Sequence, residues 1–169
     1  MASGGEWSVD LPAANAQDLA EGDHVITAEI ADDAEVTRTI EYDTVASATI
    51  SVDDITADDV VNAAEAAGYI NVTGSVGGDA APGDTVSFTV NGTDYSGTVQ
   101  ADKTFSIVVV GSNLADDTSF DVTVTGSDAA GNPFAATTTS THTVDKIAPG
   151  APTVTITEDA NDDGYINGS

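Results

Sequence analysis

The chain has 169 residues, 29 acidic side chains against 3 basic ones, a formal net charge of −26, and no cysteine. That surplus of carboxylate excludes a nucleic-acid partner, because phosphate binding rests on Lys and Arg. The lack of cysteine excludes a disulfide framework and thiolate metal sites. Hydrophobic residues make up 40% and aromatic ones 5%, so a core is possible but must be built mainly from Val, Ile and Ala. The abundance of Val and Thr favours strands. Self-repulsion on this scale destabilises a compact state unless cations sit among the carboxylates. A divalent metal would serve; an acidic surface adapted to high salt is the bland alternative. No apolar run approaches the length of a membrane span, so no membrane insertion is expected. Met1-Ala-Ser has neither the basic start nor the apolar stretch of a signal peptide, and targeting is expected to lie elsewhere.

In chain order, residues 6–11 alternate as a strand, a polar loop follows, and strands are predicted over 24–30 and 36–42 with a turn at Asp32, Asp33 and Glu35 between them. From Asp43 onward seven strands are predicted: 47–52, 69–76, 84–90, 93–99, 104–110, 119–126 and 134–144. Asn91-Gly92 is a strong hairpin signal between the third and fourth. The only helical pattern is the short run 60–66. The first three strands resemble the last three: Phe105 stands where Trp7 does, Asp128 where Asp32 does, and Asp145 where Asp43 does, roughly a hundred residues apart, the length of one small domain. The chain therefore reads as the end of one repeat (1–42), one complete repeat (43–145) and the start of a third (146–169). Seven short alternating strands per repeat predict an all-β immunoglobulin-like sandwich. Its loops would gather at two ends. One end would hold Asp43, the 79–84 loop, Asp102 and the 128–132 turn. The other would hold the 54–65 loop, the Asn91-Gly92 turn, Asp116, Asp117 and the exit at Asp145.

Residues 54–65 place oxygen donors at the spacing of a twelve-residue calcium loop: Asp54, Thr56, Asp58, the Val60 carbonyl, Asn62 and Glu65. Asp59 occupies the position that favours glycine, where positive φ is needed. A second copy near the C-terminus offers Asp159, Asn161, Asp163 and Tyr165, has Gly164 at that position, and stops before its glutamate. Calcium takes six to eight hard oxygens, which this composition supplies. The alternative for the first loop is a solvated acidic turn. Asp43 and Asp145 lie where one repeat passes to the next, with Asp128 and Asn132 expected beside them. A metal there would neutralise converging carboxylates and stiffen the joint; the alternative is ordinary Asx turns. His24 and His142 fall in strand-like segments, and no Ser-His-Asp arrangement is present, so no enzyme is expected.

Four segments carry a family resemblance: Val61-Asn-Ala-Ala-Glu65, Val90-Asn-Gly-Thr-Asp-Tyr-Ser-Gly-Thr-Val-Gln-Ala-Asp-Lys-Thr-Phe-Ser-Ile107, Ser127-Asp-Ala-Ala-Gly-Asn132 and Ala148-Pro-Gly-Ala-Pro-Thr-Val-Thr-Ile156. Together they resemble the tandem immunoglobulin-like repeats of giant bacterial RTX adhesins, exported by type I secretion in Gram-negative bacteria. The resemblance implies a monomeric, extracellular extender. Its partners would be neighbouring repeats of the same chain, its linkers would bind Ca2+, and it would hold a ligand-binding tip away from the cell to serve adhesion and biofilm formation. A calcium-dependent carbohydrate- or partner-binding sandwich is the second reading, and would require an exposed aromatic platform or apolar patch.

Overall fold

The computed structural model describes residues 12–30 and 34–153. The predicted strand 6–11, Asp32 and Asp33, and the loop residues Asp159, Asn161, Asp163 and Tyr165 lie outside the described residues. In order, the elements are α1 (Ala13–Ala16), β1 (Gly22–Ile30), β2 (Ala34–Tyr42), β3 (Ala48–Val52), β4 (Val60–Asn62), α2 (Ala63–Ala66), β5 (Tyr69–Gly78), β6 (Thr85–Val90), β7 (Thr93–Thr98), β8 (Thr104–Val110), α3 (Gly111–Asp116), β9 (Ser119–Ser127), β10 (Pro133–Thr141) and β11 (Thr143–Asp145).

β1 and β2 form an antiparallel pair of their own, in register from Gly22↔Tyr42 to Ile30↔Ala34. From β3 onward two antiparallel sheets face each other, one ordered β3-β5-β8 and the other β10-β9-β6-β7. Alternation drives this arrangement, because every second side chain of a strand points to the same face. Ile70, Val72 and Val76 of β5 and Phe105, Ile107 and Val109 of β8 point inward, against Val86, Phe88 and Val90 of β6 and Phe120, Val122 and Val124 of β9. The Phe88 ring lies 5.3 Å from Phe120 and 5.7 Å from Tyr95, on the two strands that flank β6 in its sheet. The turn between β6 and β7 has φ of +48° at Asn91 and +72° at Gly92, the left-handed pair that a two-residue hairpin requires.

The seven predicted strands are present, and two local expectations are corrected. The run 60–66 is not helical throughout: Val60–Asn62 is a strand, and only Ala63–Ala66 is helix. The last predicted strand, 134–144, is broken at His142. β10 ends at Thr141, and β11 crosses over to pair in parallel with β4, from Thr143↔Val60 to Asp145↔Asn62. At the break, His142 is buried, with its backbone N–H donated to the Thr118 carbonyl and its Nε2 2.7 Å from the Leu114 carbonyl. The α3 turn has no counterpart in the sequence pattern. It packs on α2 because Gly111 comes close enough that a Cβ there would stand 2.1 Å from the Glu65 carbonyl oxygen.

Candidate functional site

The described loops gather at the two ends of the sandwich. At one end, the segment 43–47 between β2 and β3 is held at both of its ends. The Asp79 carboxylate accepts from the Ser47 N–H at 2.7 Å, and the Asp79 N–H donates to the Ser47 carbonyl at 2.8 Å. Asn132 donates its amide to the Asp43 carbonyl at 3.0 Å and to Asp128 Oδ2 at 2.9 Å. The structure thus brings together Asp43, Asp128 and Asn132, of which the first and last are 89 residues apart in sequence. Asn132 also holds the Asp128 carboxyl below the usual aspartate range, with the Asn132, Gly131 and Ala130 backbone adding to the effect and desolvation opposing it.

At the downstream end, the 54–65 loop divides into two halves. In the first, Thr56 Oγ1 lies 3.0 Å from Asp58 Oδ1 and 3.1 Å from the Val60 carbonyl oxygen, so the third, fifth and seventh oxygens of the predicted loop converge. Asp59 has φ of +56°, the backbone that the sixth position calls for, and its carboxylate accepts from the Ile55 N–H at 3.1 Å.

In the second half, Asn62 and Glu65 bond to each other's turn. Asn62 Oδ1 accepts from the N–H groups of Ala64 and Glu65, and Glu65 Oε2 accepts from the Asn62 N–H at 2.9 Å. That is a capping box. The two side chains satisfy the first turn of α2 and do not hydrogen-bond to Asp54, Thr56 or Asp58. The Asn-x-x-Glu spacing fits either use, and a capping reading was available in the sequence. Asp145 lies in register with Asn62 through the β4–β11 pairing, so the exit aspartate stands beside the start of α2.

Among the described residues, no three His, Asp or Glu side chains converge in a metal-binding group. The donor chemistry at both ends nevertheless fits a hard cation: carboxylate, hydroxyl, amide and carbonyl oxygens, with no thiolate or imidazole among them. As placed, Asn132 turns its nitrogen to the carboxylates, and its oxygen would have to swing inward to serve as a ligand. An aromatic platform is not present among the described residues. Phe88, Phe105, Phe120 and Phe134 are buried, and the Tyr95 hydroxyl accepts from Asn113 at 2.8 Å, so Tyr69, 77% exposed, stands out alone beside Val108 and Val110 on the outer face of β5 and β8.

Two antiparallel sheets of three and four strands, with loops and linkers collected at opposite ends, define a β-sandwich of the kind that can be strung in series. No family model and no curated protein matches the chain. Solved structures do. A bacterial immunoglobulin-like domain from the M. primoryensis ice-binding adhesin is 53% identical, with a TM-score of 0.56, and is covered over 100% of its length by 61% of this chain. A structure bearing on host cell surface retention of a 1.5-MDa bacterial ice-binding adhesin is 47% identical, with a TM-score of 0.67, over 83% of this chain and 46% of that one. A Ca2+-stabilized adhesin that helps an Antarctic bacterium reach out and bind ice is 46% identical, with a TM-score of 0.62, over 84% of this chain and 36% of that one. The chain belongs to the immunoglobulin-like domains of bacterial adhesins. It spans less than half the length of the two larger chains.

Proposed function

We propose that the chain is a calcium-stiffened extender segment of a large bacterial surface adhesin. Residues 43–145 would be one complete module, residues 1–42 the end of the module before it, and residues 146–169 the start of the next. The observation that carries this reading is the gathering of Asp43, Asp128 and Asn132, from opposite ends of the module's sequence, around the point where the chain enters it. Asp145, which pairs with Asn62, would hold the equivalent place at the exit. A following module of the same kind would bring its own counterparts of Asp128 and Asn132 to Asp145, so each joint would combine oxygens from both neighbours. Calcium held there supplies positive charge, which cancels the repulsion among these carboxylates and removes freedom from the joint. Asp54, Thr56, Asp58 and Val60 form the other candidate set. The same assignment extends to Asp159, Asn161, Asp163 and Tyr165.

The module would act by geometry rather than by catalysis, outside a Gram-negative cell and as a monomer. Its neighbours would be further modules and, at some distance, a ligand-binding tip. Millimolar extracellular calcium would load sites of ~10⁻⁴ M affinity, whereas cytosolic calcium would leave them empty. Small-angle scattering with calcium and with chelator tests the reading. The chain should be longer and stiffer with calcium, and equal dimensions in both conditions would refute it. A glycan array with and without calcium separates this reading from a lectin-like module, for which Tyr69 is the one exposed aromatic candidate among the described residues.

A further inference from the structure

His142 stands where the chain changes partners. Its backbone N–H donates to the Thr118 carbonyl beside β9, and the next N–H, that of Thr143, donates to the Asp59 carbonyl at 3.1 Å. The Thr143 hydroxyl donates to the same carbonyl at 3.3 Å. β11 then runs along β4.

The imidazole reaches the other way, to the Leu114 carbonyl at 2.7 Å from Nε2. A carbonyl only accepts, so Nε2 carries the proton and Nδ1 is bare. Leu114 lies in the last turn of α3, where helix carbonyls have no partner within the helix. The side chain therefore closes the end of α3 while its backbone begins the crossover. Among the described residues, Nδ1 is the one buried side-chain nitrogen or oxygen without a hydrogen-bond partner. The ring meets Phe120 edge-on, with centroids 6.3 Å apart. A phenylalanine would fill that space without burying an unpaired nitrogen. What histidine adds is the donor at Nε2.

The 54–65 loop lies between the two attachments. Thr143 holds the Asp59 carbonyl, and β11 pairs with Val60–Asn62. From the other side, Gly111 at the start of α3 packs on the Glu65 carbonyl and donates its N–H to the Gly68 carbonyl at 2.9 Å. The loop is thus gripped at its middle by β11 and at its end by α3, and one side chain ties the two grips together.

We propose that His142 is a positioning residue for the 54–65 loop: its Nε2–H locks the strand crossover to α3, and so sets where Asp59, Val60 and Glu65 stand. The loop then offers a cation oxygens arranged beforehand, rather than oxygens to be ordered on binding. The role in ion binding rests on the calcium reading above; the role in the crossover does not.

Hydrogen exchange on the full chain in millimolar calcium tests it, following the amides of β4 and β11 with β5 and β9 as an internal control, alongside calorimetry for calcium affinity. His142→Phe keeps a ring and removes the donor. It should speed exchange in β4 and β11 by about threefold to tenfold, the range that one net hydrogen bond allows, and leave β5 and β9 unchanged. It should also raise the calcium dissociation constant by about threefold or more, as the fraction of chains with the loop in place falls. His142→Gln, whose amide nitrogen can stand where Nε2 stands, should restore both. Wild-type exchange in β4 and β11 of His142→Phe would overturn the proposal, and so would a glutamine variant no better than the phenylalanine one. Faster exchange with unchanged calcium affinity would overturn the role at the loop. Should His142→Phe fail to fold, seen as lost protection in β5 and β9, His142→Gln is compared with His142→Asn, whose shorter side chain falls short of Leu114; equal protection in those two would overturn the proposal. A wild-type chain that takes up no calcium refutes the calcium reading instead, and the exchange comparison still decides whether His142 holds the crossover.

Discussion

Glu65→Gln separates the two uses to which Glu65 can be put. In the structure, Glu65 Oε2 accepts from the Asn62 N–H at 2.9 Å, and Asn62 Oδ1 accepts from the Ala64 and Glu65 N–H groups at 2.9 and 3.0 Å. Glutamine serves the third position of a capping box as glutamate does. In chelator the variant should therefore lie within about 0.5 kcal/mol of the wild type, the usual range for a surface change that breaks no such feature. Asn62→Ala, which removes two cap bonds, should cost about 1 kcal/mol under the same conditions. With calcium the order changes. An ion present at about 10 to 100 times its dissociation constant stabilises the native state by about 1.4 to 2.7 kcal/mol. Losing a charged ligand should remove most of that increment from Glu65→Gln. Urea unfolding of the three proteins, in chelator and in millimolar calcium, gives both numbers, and calorimetry gives the ion count. If Glu65→Gln matches the wild type in calcium as well, Glu65 is a capping residue and no ligand. If it falls as far as Asn62→Ala in chelator, the capping account is wrong.

Three further outcomes follow from the packing and the acid–base chemistry. Gly74→Ala should destabilise the domain by about 1–3 kcal/mol or more in urea unfolding, because a Cβ there would meet the Ser51 carbonyl oxygen at 2.1 Å and the Phe105 ring at 2.7 Å. Leu114→Ala should cost about 2–5 kcal/mol by the same measurement, since Leu114 is fully buried between α3 and the end of the core. The Thr104 hydroxyl donates to Asp102 Oδ1 at 2.6 Å and is the main cause of its lowered pKa. A depressed carboxyl stabilises the fold above the ordinary aspartate value of about 3.9, and that contribution is lost as pH falls through the lower native value. Thr104→Val should therefore move the Asp102 titration upward when followed by carboxyl NMR, and remove this share of the acid dependence. An unchanged titration would discount the hydroxyl.

The strands were legible because alternation is local. The predicted 104–110 coincides with β8, and 93–99 and 84–90 differ from β7 and β6 by one residue at an end. The Asn91-Gly92 turn was equally legible, since its backbone angles depend on those two residues alone. The segments that failed were short and owe their form to distant partners. β4 is three residues long and extended because β11 pairs with it from more than eighty residues further on. His142 breaks the last strand because the Leu114 and Thr118 carbonyls claim it. Nothing in Gly111–Asp116 carries the period of a helix longer than a turn, and α3 forms against α2.

The candidate sites divide along the same line. By itself the sequence determined the charge, the wealth of oxygen donors without any thiol, and the sandwich class, all of which depend on composition or short-range pattern. Tertiary structure alone decided which oxygens meet. It brought Asn132 to Asp43 and Asp145 to Asn62, and it turned Asn62 and Glu65 toward the start of a helix. The physical reason is that a ligand set is a matter of convergence in space. Residue spacing constrains convergence only within a single turn, and there the same spacing served a capping box as readily as a calcium loop.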